Sequence, residues 1–189
     1  MRTERVFEES VAAKRRYLDD EDALATVERV GEAMAEALAA GDKVVLFGNG
    51  GSAADAQHIA AELSGKFRRE RPGLPAVALT TNTSSVTAIA NDFGYETVFA
   101  RQVEGMVSAG DVVVGISTSG TSENVLRGIE AAADLGATTV GLTGESGGDL
   151  AGMVDHCVTA PSADTARIQE VHITVGHAVC GIVEGMLFD

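Results

Sequence analysis

Five short, nearly uninterrupted apolar runs, Lys43–Phe47, Ala76–Thr80, Val112–Ser117, Thr138–Thr143 and His156–Ala160, are separated by segments of helical period. A strand that is apolar at almost every position is buried on both faces, and helices between such strands cover a parallel sheet from two sides. The helices expected are Ser52–Ser64, a short one around Ser84–Ala90, Glu96–Val107, Ser122–Leu135 and Asp164–Leu187. Two more, Glu4–Leu18 and Glu21–Ala40, precede the first strand, and the second carries Val27, Val30, Met34 and Leu38 at three- and four-residue spacing. The acidic run Asp19 to Asp22 between them supplies an N-cap, and Gly41 ends the second helix. The fold class is therefore α/β, a flavodoxin-like doubly wound sandwich with a five-stranded parallel sheet, preceded by an N-terminal helical pair. With 189 residues the chain makes a single domain, residues 1–40 forming the pair and 41–189 the sandwich.

Charge narrows the function. There are 28 acidic and 14 basic side chains, a formal charge of -14. A nucleic-acid groove or an anionic membrane surface needs clustered positive charge, so neither is an expected partner. Cys157 and Cys180 have neither metal-ligand spacing nor the density of a disulfide scaffold, and read as reduced thiols. The N-terminus has charges where a signal peptide needs an apolar run, and no stretch reaches about 20 uninterrupted apolar residues. A cytoplasmic location is expected. After Arg101 the only basic residues are Arg127 and Arg167, and the one dense basic cluster is Lys66, Arg68, Arg69 and Arg71. An anionic ligand must therefore rest on backbone N–H groups, hydroxyls and helix N-termini, with the basic cluster offsetting the surrounding field.

Two strand-to-helix junctions have that chemistry. The first, Gly48, Asn49, Gly50, Gly51 and Ser52, lets a ligand approach the backbone closely. Its letters fit a dinucleotide loop, but Thr80, Thr81 and Asn82 supply no ribose-binding acid after the second strand, and no Walker lysine follows. The second places Ser117, Thr118, Ser119, Thr121 and Ser122 around Gly120, more hydroxyls than an N-cap uses. His58 and Glu62, at i and i+4, face the same way and can share a metal, divide acid–base work, or form a surface ion pair. On the last helix stand Gln169, Glu170, His172 and His177, where a buried or exposed histidine without a role competes with a ligand. Gln169 and His177 are about 12 Å apart along the axis, and meet at one ion only by leaning inward or by coming from different protomers.

The segments GNGGSAADAQHIAAEL, ERPGLPA, AIANDFGYETVFARQVE, GDVVVGISTSGTSENV, LTGESGGDLAG and RIQEVHITVGH, in this order over nearly the full length, resemble the phosphoheptose isomerases of the sugar isomerase (SIS) superfamily. The resemblance implies a sedoheptulose 7-phosphate isomerase that forms D-glycero-D-manno-heptose 7-phosphate or a related heptose 7-phosphate, the first step towards nucleotide-activated heptose. It implies sugar-phosphate binding by Asn49, Gly50, Gly51, Ser52, Glu62, Asn91, Asp92, Ser117, Thr118, Ser119, Ser122 and Gln169. It implies one divalent ion, zinc, on His58, Glu62, Gln169 and His177, with Glu62 and His177 as the acid–base pair. It also implies a homotetramer with sites across subunit contacts, residues 1–40 serving oligomerisation. Lys66 stands where an Arg is frequent, keeping charge without a bidentate fork, and Ala53 where a bulkier polar residue is common.

Two rival functions fit the same segments. One is a non-catalytic SIS protein that associates with the replication initiator, a branch without the helical carboxylate and the last histidine; Glu62 and His177 are both present here. The other is a different sugar-phosphate isomerase or sensor.

Overall fold

A computed structural model of the chain describes residues 2–189. Helices α1 (Thr3–Leu18) and α2 (Glu21–Ala40) lead into β1 (Val44–Gly48), α3 (Gly51–Ser64), β2 (Ala76–Ala78), α4 (Thr83–Phe93), α5 (Ala100–Met106), β3 (Val112–Ile116), α6 (Glu123–Asp134), β4 (Thr138–Thr143), β5 (His156–Thr159) and α7 (Thr165–Phe188). The five strands form one parallel sheet in the order β2-β1-β3-β4-β5. This is the flavodoxin-like order, and its direction reverses between β1 and β3, where such sheets bind ligands beyond the strand C-termini.

The alternation of side chains along each strand builds two cores. Val44, Leu46, Val112, Val114 and Ile116 face α2, α3 and α7. Val45, Phe47 and Val113 face the opposite way, onto Val98, Phe99, Val103, Val125 and Ile129. Asp20 caps α2 by accepting from the Ala23 N–H, and Gly41 ends it at φ 93°.

The segment expected to be one helix from Glu96 to Val107 is instead a 3₁₀ turn at Tyr95–Thr97 followed by α5. The break drives Val98 and Phe99 inward, and Phe99 stacks on Phe47 at a centroid distance of 4.8 Å. α4 runs on to Phe93, past its expected end, and β2 is shorter than expected because the chain turns at Thr81, whose N–H bonds the Ala78 carbonyl.

α7 is by length and composition apolar enough to cross a membrane, but here it is a core helix, with Ile168, Val171, Val175, Val179 and Val183 buried among α2, α3 and α1. His172 on α7 is fully buried; its Nε2 bonds the Thr143 carbonyl oxygen at 3.0 Å and its Nδ1 has no partner. A carbonyl only accepts, so Nε2 carries the proton. Burial, partly opposed by the Thr143 bond, pushes the pKa from 6.5 down to about 4. The unfolded chain then takes up the proton before the folded one does. Stability from this group is complete above about pH 6.5 and declines as pH falls towards 4, by up to about 3 kcal/mol. The stability difference between wild type and His172→Gln in urea titrations is expected to shrink by that amount between pH 7 and 4; a difference that stays constant with pH would contradict this.

Candidate active site

The strand register sets the two ligand loops side by side. Gly48 ends β1 opposite Ile116, which ends β3. A Cβ at Gly48 would come within 2.8 Å of both the Ile116 carbonyl oxygen and Ser52 Cβ, so the approach requires glycine. Ser52 lies buried beneath the turn. Asn49 and Asn124 exchange two amide hydrogen bonds of 2.8 and 2.9 Å, and the Tyr95 hydroxyl donates to Asn49 Oδ1 at 2.9 Å. This amide pair ties the glycine loop after β1 to the first turn of α6, and most of the hydrogen-bonding capacity of the Asn49 side chain is used in it.

In the second loop the hydroxyls bond one another. Ser117 Oγ lies 2.9 Å from Ser122 Oγ and 3.4 Å from Ser119 Oγ, and Thr121 donates to Ser119. Ser122 is the N-cap residue of α6 but its side chain accepts no helix N–H, so the helix N-terminus is left open towards a ligand. The loop is braced from behind: Gly144 N–H bonds the Thr118 carbonyl, and Leu150 N–H bonds the Gly120 carbonyl. The first turn of α7 is also near, since a Cβ on Gly144 would touch both Ile168 and the Thr118 carbonyl oxygen.

α3 and α7 run parallel. Gln169 covers Gly51, Gly176 meets Ile59, and His177 reaches His58. His58 Nε2 is 3.1 Å from Glu62 Oε1 and 3.5 Å from His177 Nε2. Ligand atoms of His58, Glu62 and His177 all lie within 4.8 Å of one another. The Phe67 ring stacks on His177 at 5.5 Å and 15°. Three of the four residues expected around the ion are thus together within one chain. The fourth, Gln169, stands two turns earlier on α7 with its side chain against Gly51 of the glycine loop. Asn91 and Asp92 are exposed on the last turn of α4 and bonded to each other, just before Tyr95.

Two of the four cations of the basic cluster are engaged in ion pairs. Arg71 is buried in an ion pair with Glu184, Arg69 pairs with Asp189, and Arg68 lies over the Phe67 ring. Lys66 and Arg68 are the members of this cluster that are exposed without an ion-pair partner among the described residues. Sequence reasoning also passed over Asp55, one turn before His58, whose Oδ2 is buried without a partner. Burial pushes its carboxyl up to about 6 against the opposing influence of His58. The spacing Asp55, His58, Glu62 was a readable signal for it, as all three share one helix face.

Residues 7–144 match the SIS domain family. The phosphoheptose isomerase of Roseiflexus sp. (strain RS-1) is 56% identical over 97% of this chain and 92% of its own length. That of Aquifex aeolicus (strain VF5) is 59% identical over 82% of this chain and 81% of its own. Among solved structures, a phosphoheptose isomerase from Neisseria gonorrhoeae superposes with a TM-score of 0.88 at 44% identity, covering 96% of this chain and 98% of that one. Another, from Francisella tularensis, gives 0.90 at 38% identity, with 96% of each chain covered.

Proposed function

The chain belongs to the phosphoheptose isomerases of the SIS family, and from that premise we propose that it interconverts sedoheptulose 7-phosphate and D-glycero-D-manno-heptose 7-phosphate. The observation that carries the proposal is a pair of side-chain groups on elements that the sheet places next to each other: the hydroxyl loop at the N-terminus of α6, tied by Asn124 to the glycine loop that opens α3, and the His58, Glu62, His177 cluster on α3 and α7. The first suits a phosphate and the second suits proton transfer. The membership also decides against the non-catalytic reading.

Conversion of the ketose to the aldose moves one proton from C1 to C2 and another from O1 to O2, through a cis-enediol. Glu62 is the base that takes the C1 proton and returns it to C2. Its side chain is 23% exposed against 47% for His58, so a proton held there is better shielded from solvent exchange. His177 moves the proton between the oxygens, its ring stacked on Phe67 and set nearly perpendicular to the His58 ring. Ser117, Thr118, Ser119 and Ser122 hold the phosphate, while Asn49, Gly50, Gly51, Ser52, Asn91, Asp92 and Gln169 orient the sugar. An assay coupling product formation from sedoheptulose 7-phosphate to a specific heptose readout tests the reading; purified protein that turns over no heptose phosphate would end it.

Two imidazoles and a carboxylate make up a donor set that zinc takes in open, three-ligand sites. His58, Glu62 and His177 would hold the ion, and Gln169 would join them by leaning inward or across a subunit contact. The ion would polarise the oxygens at C1 and C2 and so favour the developing enediolate charge. Chelation is expected to lower turnover on the order of 10²-fold and to lower the melting temperature, both restored by one equivalent of zinc per subunit. Unchanged activity in protein shown by elemental analysis to be metal-free would refute this.

We assign the outer face of α1 to self-association as a homotetramer, since Phe7 and Val11 are 69% and 66% exposed. Sedimentation analysis giving a monomer at assay concentrations would contradict it. Both cysteines are free, which fits a reducing cytoplasm; recovery in a periplasmic fraction would not.

A further inference from the structure

Beyond the groups that meet substrate, one buried ion pair has no place in the scheme above. The Arg71 and Glu184 side chains are 1% and 2% exposed and meet at 3.0 Å. Arg71 is not merely neutralised there: its guanidinium donates to the carbonyl oxygens of Glu62, Leu63, Gly65 and Pro72. The last carbonyls of α3 have no intrahelical partners, so this one side chain caps the helix immediately after Glu62. Glu184, two turns beyond His177 on α7, accepts the backbone N–H groups of Phe67, Arg68 and Arg69. Burial works against its charge, but these three N–H groups and Arg71 outweigh it and hold the carboxyl below the usual carboxylate range.

The pair therefore joins the two helices that carry Glu62 and His177, and it fixes the strap 65–71 between them. Phe67 is the strap residue whose ring stacks on His177. The ring also lies beside Gly181, one turn after His177, where a Cβ would be in ordinary van der Waals contact with it at 3.8 Å. We propose that Arg71 and Glu184 are positioning residues for the proton-transfer site, acting through Phe67 on the His177 ring. The proposal rests on the isomerase reading for its kinetic consequences, but its geometric content does not.

The test compares Arg71→Lys, Glu184→Gln, Phe67→Leu and Phe67→Tyr. Lysine keeps the charge and loses the fork that reaches several carbonyls at once. Because a misplacement of about 1 Å can cost on the order of 10²-fold, the first three variants are each expected to lower kcat about tenfold or more, with KM within about twofold. Phe67→Tyr keeps the ring and is expected to restore kcat. The double variant Arg71→Lys with Phe67→Leu is expected to be no slower than the slower single, since both act along one path.

An activity-independent readout uses protein labelled with ¹³C in its four histidines, the His177 signal being assigned by its loss in His177→Gln. Phe67→Leu is expected to remove the ring-current shift of that signal, and Arg71→Lys and Glu184→Gln to move it the same way. A lowered melting temperature with the His177 signal and kcat unchanged would make the pair structural only and overturn the proposal, as would additive kcat losses in the double variant. If the wild type converts no heptose phosphate, the isomerase reading fails and the His177 signal alone decides. Should Arg71→Lys not fold, Glu184→Gln answers the same question.

Discussion

Glu62→Gln and His177→Gln are each expected to lower kcat by about 10³-fold or more, with the oligomer and the far-ultraviolet spectrum unchanged. Both replacements keep side-chain size and hydrogen bonding but remove a group that can hold and release a proton, and such groups contribute roughly 10²- to 10⁴-fold. The upper part of that range is appropriate because ligand atoms of Glu62 and His177 lie within 4.8 Å of each other, so in the proposed scheme a single loss disables both steps of the enediol path. KM is expected to change only a few-fold, since the loop around Gly120 that is proposed to hold the phosphate is untouched. Glu62→Gln should also abolish exchange of the substrate C1 hydrogen with deuterated solvent, as seen by proton NMR. A loss of less than tenfold in both variants would remove them from the proton-transfer role.

Gly120→Ala is expected to raise KM by on the order of 10²-fold and to lower the melting temperature. Gly120 has φ 68°, which an alanine adopts at a cost of about 1–2 kcal/mol. The larger effect is steric. Its Cβ would sit 2.1 Å from the Gly147 carbonyl oxygen and 2.7 Å from the carbonyl carbon, both backbone atoms that cannot rotate aside. The hydroxyl loop must then part from its brace, breaking the bond from Leu150 N–H to the Gly120 carbonyl and shifting Ser117, Ser119 and Ser122 relative to the α6 N-terminus. Initial rates over a range of substrate concentrations give the comparison. A KM within threefold of wild type would mean that the phosphate does not rest on this loop.

The sheet was legible because strands buried on both faces cannot hide their apolar runs, and the order of helices between them follows from parallel connection. The i, i+4 spacing of His58 and Glu62 was legible for the same reason: one helix encodes it locally. What escaped was whatever depends on contacts distant in sequence. Arg71 belonged by composition to a solvated basic cluster, yet its partner is 113 positions away. Asn124 had no local mark at all, and the amide pair it makes with Asn49 is visible only once β1 and β3 are adjacent. The interruption before α5 was missed because Glu96–Val107 has a helical period, and the pull of Phe47 on Phe99 overrides it.

The parallel run of α3 and α7 makes the two ends of the site depend on a single coordinate. Gly51 with Gln169, His58 with His177 and Ile59 with Gly176 are spaced along both helices by nearly the same offset. Sliding one helix against the other would therefore displace the sugar-holding end and the proton-moving end together, in the same direction and by the same amount. Neither end can be retuned alone by shifting a helix. Selection acting on the reach between phosphate and carbonyl carbon is left with the loops, and the helices serve as the fixed scale against which those loops are set.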